Sequence, residues 1–161
     1  MCSDSSVGDV GTALAVRIVF KGSWTTSLQK LISKTLSVGS GDEGWTIYTN
    51  TAGRLQVNIA NNSGGRNIHP IATGGMGNND WHAVDVYING SGDELSVKYD
   101  GVEVVSAVSI ATSTGDRSYS GPLVINADGS DSGGLDSLSL RYLGLCEGGN
   151  ASLMYAESYW T

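Results

Sequence analysis

Apolar and polar residues alternate at every second position along most of this chain, which is the pattern of β-strands that bury one face. Between residues 54 and 60, Leu55, Val57 and Ile59 share one face, while Gln56 and Asn58 share the other. The same alternation recurs in the segments 12–20, 44–50, 82–88 and 94–99, and residues 134–143 predict a further strand. Roughly eight or more short strands separated by glycine-bearing turns predict an all-β fold, built as a sandwich or jelly roll.

The most regular stretch, NNDWHAVDVYINGSGDELSVKYDGVEVVS over residues 78–106, predicts three consecutive antiparallel strands. Asn89–Gly92 supplies the first turn, and Asp100-Gly101 is the dipeptide that a type I′ hairpin turn favours. His82 lies on the same face as the apolar residues of the first strand, and Trp81 falls on the opposite face. We therefore interpret Trp81-His82 as structural, with His82 bonded to the backbone and Trp81 covering the other surface of the sheet.

The remaining segments are less regular. Residues 25–37 fit an amphipathic helix and a strand over 29–33 equally well. Residues 122–126 predict a short strand and residues 151–157 predict a last one. The glycine- and asparagine-rich segment around His69 predicts a loop.

Several motifs follow one another in a defined order: Gly-Trp-Thr-Ile-Tyr at 44–48, Asp-Trp-His-Ala-Val at 80–84, Leu-Ser-Val-Lys-Tyr-Asp-Gly at 95–101, and Gly-Gly-Leu-Asp-Ser-Leu-Ser-Leu at 133–140. This succession resembles the laminin-G-like, concanavalin A-like lectin/glucanase superfamily. The resemblance extends over nearly the whole chain. It implies a two-sheet antiparallel β-sandwich with jelly-roll (concanavalin A-like) topology.

The length of 161 residues suits one domain, and no repeat or linker divides it. We predict a single domain over residues 1–161, with a short N-terminal lead (1–11) and an aromatic C-terminal tail (155–161). The first residues, MCSDSSVGDV, lack the basic and apolar regions of a signal peptide, and the apolar run LAVRIVF is too short to cross a bilayer. Whether Cys2 and Cys146 form a disulfide stays open, because their separation in sequence does not fix their distance.

The formal net charge is −7, and the nine basic residues are scattered along the chain. Binding to nucleic acid or to an anionic membrane requires clustered Lys and Arg, so neither is an expected partner. Catalysis is not expected either. In the glucanase branch of the resembled superfamily the carboxylates lie on one strand in a Glu-x-Asp-x-Glu pattern, which this sequence lacks. Asp42-Glu43 and Asp93-Glu94 are adjacent pairs, which on a strand would point to opposite faces.

An acidic, glycine-rich loop is the candidate metal site. Hard cations such as Ca²⁺ bind six to eight oxygen ligands, and glycines allow backbone carbonyls to turn towards the ion. Such loops are also simply good turns, but members of the resembled superfamily often bind calcium at a loop edge. The candidate calcium ligands are Asn126, Asp128, Asp131 and Asp136.

Loops rich in Asn, Gly and aromatic residues are the candidate glycan-binding surface, because in the resembled superfamily such loops bind sugars. The same residue types also make ordinary turns in any sandwich. The candidate ligand-binding residues are Trp24, Asn61, Asn62, Arg66, Asn67 and Tyr119. In the C-terminal tail, Tyr155, Tyr159 and Trp160 either contact a neighbouring protein or close one end of the sandwich.

Together these features predict a non-catalytic recognition or attachment module. We expect a lectin-like sandwich displayed on a virion or similar assembly, as a capsid decoration or fibre protein. Its partners would be a protein lattice, glycans or a second copy of the chain. The alternative is an extracellular, laminin-G-like adhesion domain at a cell surface that binds glycan with calcium.

Overall fold

The alternating segments form β-strands in the computed structural model, which describes residues 8–10, 13–23, 28–35, 43–61, 63–71, 79–113, 117, 121–126 and 136–152. The strands are β1 Ala13–Ser23, β2 Gln29–Lys34, β3 Gly44–Thr49, β4 Leu55–Ala60, β5 Arg66–Pro70, β6 His82–Asn89, β7 Glu94–Tyr99, β8 Val102–Ser109, β9 Val124–Ile125 and β10 Asp136–Glu147. Two short 3₁₀ turns cover Ala111–Ser113 and Gly148–Asn150. Within the described part of the chain, no helix has the length and apolar character needed to span a membrane.

The strands pair in two five-stranded sheets that pack as a sandwich. Sheet A has the order β10-β1-β6-β7-β8, and sheet B has the order β5-β4-β3-β2-β9. Every strand pair is antiparallel. The predicted all-β, two-sheet antiparallel sandwich is therefore confirmed.

The core lies between the inner faces of the two sheets, where alternate residues of each strand meet. On β1 these are Leu14, Val16, Ile18 and Phe20, all fully buried, as the two-residue period of a strand requires. Sheet B contributes the largest buried side chain, Trp45, whose indole Nε1–H donates to the Gly8 carbonyl at 2.6 Å. The other core residues include Ile47, Leu55, Val57, Ile59, Val84, Val86, Ile88, Leu95 and Val97.

The predicted hairpin of β7 and β8 is confirmed. Asp100 and Gly101 occupy its turn with φ of 49° and 80°, which are the left-handed conformations that a type I′ turn requires at both central residues. The ambiguous segment 25–37 contains a strand, β2. A register shift between Lys30 and Ile32 allows the adjacent residues Leu31 and Ile32 both to pack in the core. The described residues of that segment form no helix.

Two sequence expectations need correction. The segment around His69 is the edge strand β5 and not a loop, since it pairs with β4 from Gln56↔Pro70 to Ala60↔Arg66. The predicted last strand over 151–157 does not begin as a strand: Ala151 follows a 3₁₀ turn and its backbone N–H donates to the Gly148 carbonyl. Gly148 has φ of 67°, which lets the chain leave β10 at that point. Residues 153–157 lie outside the described part.

Candidate binding cleft on the outer face of sheet A

A cleft of about 330 Å³ lies on the face of sheet A that points away from the core. Val19 and Ala83 pair directly across β1 and β6 and form its apolar floor. Both side chains alternate with core residues along their strands, so they project outward. The residues that line the cleft are Val19, Trp81, His82, Ala83, Asp100 and Arg141.

Trp81 forms one wall of this cleft immediately before β6 begins. Its side chain is 44% exposed, an unusual amount for the largest apolar residue in proteins. The Lys21 ammonium lies 5.4 Å from the centre of the indole ring, in cation–π contact. The ring is therefore accessible to solvent and held in place at the same time.

Asp100, in the β7–β8 turn, ties that turn to the start of β6. One carboxylate oxygen accepts the Ala83 N–H at 2.8 Å, and the other lies 2.9 Å from His82 Nδ1. The Asp100 N–H in turn donates to the Ala83 carbonyl at 2.8 Å. Both oxygens of Asp100 are thus engaged within the protein, and the cleft rim is rigidly positioned.

His82 contacts two aromatic rings beneath this rim. Its ring stacks on Tyr99 with centroids 5.3 Å apart and lies 6.4 Å from the Phe20 ring. The Tyr99 hydroxyl lies 2.7 Å from His82 Nδ1. Burial, and secondarily the negative charge of Asp100, raise the pKa of Tyr99 well above its usual value, so the hydroxyl stays protonated. His82 lies on the inner face, as predicted. Its Nδ1 contacts the side chains of Asp100 and Tyr99, whereas the sequence suggested a bond to the backbone.

Arg141 reaches the cleft because β10 contains a β-bulge. Val19 pairs with Tyr142 and the next residue, Phe20, pairs with Leu140, so Arg141 is the extra residue on β10. A bulge of this kind redirects a side chain and is common beside functional sites. Arg141 is exposed and lines the cleft from the β10 side.

The three described residues that were predicted to bind glycans, Asn61, Arg66 and Asn67, lie elsewhere. Asn61, directly after β4, is buried, and its Oδ1 accepts hydrogen bonds from the N–H groups of Ser63 at 3.1 Å and Gly65 at 2.7 Å. It therefore shapes the β4–β5 turn. Asn67 Nδ2 donates to the Ile110 carbonyl at 3.0 Å, while its Oδ1 accepts from the Thr112 hydroxyl.

Arg66 is exposed at the start of the edge strand β5. The other three predicted glycan-binding residues, Trp24, Asn62 and Tyr119, lie outside the described residues. The structure thus brings Asn61, Arg66 and Asn67 together at one end of sheet B, away from the cleft on sheet A.

The predicted calcium loop and C-terminal tail fall mostly outside the described residues. Asp128 and Asp131 lie there, as do Tyr155, Tyr159 and Trp160, and of Asp136 only the strand position is described. Asn126 follows β9 with φ of 59°, and its N–H donates to the Leu31 carbonyl at 3.0 Å. Among the residues that the structure describes, no three His, Cys, Asp or Glu side chains cluster as metal ligands. Cys146 is half-buried on β10 and forms no disulfide with another described residue; Cys2 lies outside the described residues, so their pairing stays open.

His69 makes a pH-dependent contribution to stability. Its Nε2 is buried without a hydrogen-bond partner among the described residues, and burial lowers the pKa of the imidazole below its usual value. The unfolded chain therefore binds a proton at His69 more readily than the folded chain does. The part of the free energy of unfolding that depends on His69 is greatest above about pH 6.5, and it decreases as the pH falls through the lower folded-state pKa.

We expect the free energy of unfolding to fall less in His69→Gln than in the wild type when the pH is lowered from about 7.5 to about 5. Urea unfolding at a series of pH values measures both profiles. His82 is present in both proteins, so their difference reports on His69. Parallel profiles would contradict the assignment.

No protein-family model and no curated protein matches this sequence. Solved structures do match its fold. The binding domain of Paraclostridial Mosquitocidal Protein 1 superposes with a TM-score of 0.62 at 10% identity, covering 86% of this chain and 33% of that one. The botulinum neurotoxin serotype D ligand-binding domain, solved in complex with N-acetylneuraminic acid, gives a TM-score of 0.63 at 12% identity, covering 93% and 37%.

The NanB sialidase from Streptococcus pneumoniae matches with a TM-score of 0.56 at 17% identity, covering 84% of this chain and 22% of the sialidase. The chain therefore spans well under half the length of each of these proteins. At such low identities the likeness establishes the β-sandwich fold, with which the predicted jelly-roll topology is consistent.

Proposed function

We propose that this chain is a non-catalytic binding module that recognises glycans at the cleft beside Trp81. Ligand sites combine apolar surface with a few well-placed polar groups, and here Trp81 stands over the floor of Val19 and Ala83, with Asp100 and Arg141 at the rim. The observation that carries the proposal is the exposed indole held by Lys21. A fixed aromatic ring offers a flat apolar surface to the C–H face of a sugar.

The composition of the cleft supports binding over hydrolysis. Glycosidases use two carboxyl groups placed on either side of the scissile bond. Among the residues that line this cleft, Asp100 is the one carboxylate, and both of its oxygens are already engaged by Ala83 and His82.

The structural neighbours support the same role. Two of them are described as binding domains, and one of these was solved with a sialic acid bound. The third is a sialidase, of which this chain matches only a part. We also propose membership of the concanavalin A-like superfamily, on the order of the sequence motifs and the two-sheet sandwich.

Replacing Trp81 with alanine is expected to weaken glycan binding by about tenfold or more, since both the buried apolar area and the aromatic contact are lost. A glycan array followed by titration of the strongest ligand measures the effect. Trp81→Phe is the matched control, because it keeps an aromatic ring at the same position and should retain most of the affinity. Unchanged binding in Trp81→Ala would refute this cleft as the site, and an array without any bound glycan would refute the function.

The setting proposed for this module is a virion or similar assembly, with the C-terminal tail (155–161) as the contact to a protein lattice. The aromatic composition of the tail supports this proposal. Calcium held by the 126–136 loop is proposed for the alternative, an extracellular adhesion domain. Repeating the array in the presence of EDTA distinguishes the virion-associated module from the adhesion domain. Calcium-dependent binding supports the adhesion domain, and calcium-independent binding argues against it.

A further inference from the structure

Building on the proposed glycan-binding function, we infer that the ligand is an acidic glycan, whose anionic substituent pairs with Arg141 while a sugar ring contacts Trp81. Three features of the cleft indicate this class of ligand: the placement of Arg141, the engagement of Asp100 and the position of Lys21.

Arg141 is placed at the cleft by a specific distortion of the sheet. The bulge between the Val19↔Tyr142 and Phe20↔Leu140 pairs makes it the extra residue on β10. Its guanidinium is exposed and has no ion-pair or hydrogen-bond partner among the described residues. A guanidinium presents a planar fork of N–H donors that matches the two oxygens of a carboxylate, or of a sulfate, in a bidentate contact.

The other charges at the cleft leave this guanidinium available. Asp100 keeps its negative charge, but its oxygens contact the Ala83 N–H and His82 Nδ1, and among the described residues it forms no ion pair with Arg141. Lys21, above the Trp81 ring, adds a second positive charge at the rim. The charged groups at the cleft are therefore two cations, Arg141 and Lys21, and one carboxylate, Asp100, whose oxygens already have partners within the protein.

The net charge of the chain restricts the class of acidic glycan further. With a net charge of −7, the chain repels extended polyanions at long range. A single anionic substituent on an otherwise neutral sugar experiences mainly the local field of Arg141 and Lys21, since more distant charges are screened at physiological salt. A terminal acidic sugar therefore fits the cleft better than a densely charged chain.

The test compares lactose with three acidic glycans: sialyllactose, a glucuronic acid-terminated disaccharide and a sulfated lactose, which differs from lactose only in its sulfate. We expect the wild-type protein to bind at least one acidic glycan about tenfold to a hundredfold more tightly than lactose, the usual range for a hydrogen bond to a charged group. Arg141→Gln should abolish that preference, because it weakens the binding of the acidic glycan far more than the binding of lactose. Arg54→Gln, an exposed arginine on the β3–β4 turn, is the control and should keep the preference.

The outcomes separate this inference from the proposed function. Equal binding of lactose and all acidic glycans would overturn the inference and leave the glycan-binding function standing. An acidic preference that survives in Arg141→Gln would overturn the role of Arg141. Failure of all glycans, neutral and acidic, to bind would refute the proposed function itself. Because Arg141 is exposed, the melting temperature of Arg141→Gln should match the wild type and confirm that the variant is folded.

Discussion

Asp85→Leu is expected to lower the free energy of unfolding by about 3 kcal/mol, because it leaves the Arg17 guanidinium largely buried without its carboxylate partner. Arg17 Nε donates to Asp85 Oδ1 at 2.5 Å across the paired strands β1 and β6. The Asp85 side chain is 3% exposed and that of Arg17 is 15% exposed, so solvent screens this ion pair only weakly. The pair lies on the outer face of sheet A, the same face as the cleft.

Urea unfolding of three variants tests this expectation. Replacing both partners, in Arg17→Met with Asp85→Leu, should recover much of the lost stability, because apolar side chains of similar size often replace a buried ion pair at little cost. Glu94→Gln, an exposed change at the start of β7, serves as the control and should remain within about 0.5 kcal/mol of the wild type. Equal stability of Asp85→Leu and the wild type would show that the ion pair contributes nothing.

Trp45→Ala is expected to lower the free energy of unfolding by about 3–5 kcal/mol, a large part of the roughly 5–15 kcal/mol that is typical of a folded domain. Trp45 is 1% exposed, and its loss opens a large cavity in the core of sheet B. It also removes the hydrogen bond to the Gly8 carbonyl. Trp45→Phe should cost less, because a ring still fills most of the space.

The alanine variants of Trp45 and Trp81 are expected to differ in their free energy of unfolding. Trp81→Ala, at an exposed position, should change the free energy of unfolding by less than about 1 kcal/mol while it weakens glycan binding. Circular dichroism during urea unfolding measures both variants under identical conditions. A loss of stability at Trp81 as large as that at Trp45 would mean that Trp81 is structural.

The architecture was predictable because a two-residue period determines which face of each strand is buried. Alternation of Leu14, Val16, Ile18 and Phe20 was sufficient to place β1 in the core, and Asp100-Gly101 was sufficient to locate a hairpin. The edge strand β5 was not predictable in this way. Its sequence, Arg-Asn-Ile-His-Pro, has few apolar residues because only one of its edges is paired and its outward side chains are exposed.

The cleft on sheet A could not be predicted from the sequence, for a different reason from the one that applies to β5. Periodicity placed Trp81 on the outer face but did not show whether that face is covered, since coverage depends on residues distant in sequence. A signal for the bulge was nevertheless present: Leu138 and Leu140 occupy one phase of β10, and Leu143 and Leu145 occupy the other. This change of phase at Arg141-Tyr142 is what an inserted residue produces in a strand.

The most direct test of glycan binding at Trp81 is a titration followed through the indole N–H resonances of the four tryptophans. Single Trp→Phe variants assign each resonance. With the strongest glycan from the array, we predict that the Trp81 resonance shifts progressively to saturation, while that of Trp45, bonded to Gly8 in the core, stays fixed. A shift of the Trp24 resonance with that of Trp81 unchanged would contradict glycan binding at the cleft and would indicate a site in the loops that the sequence suggested.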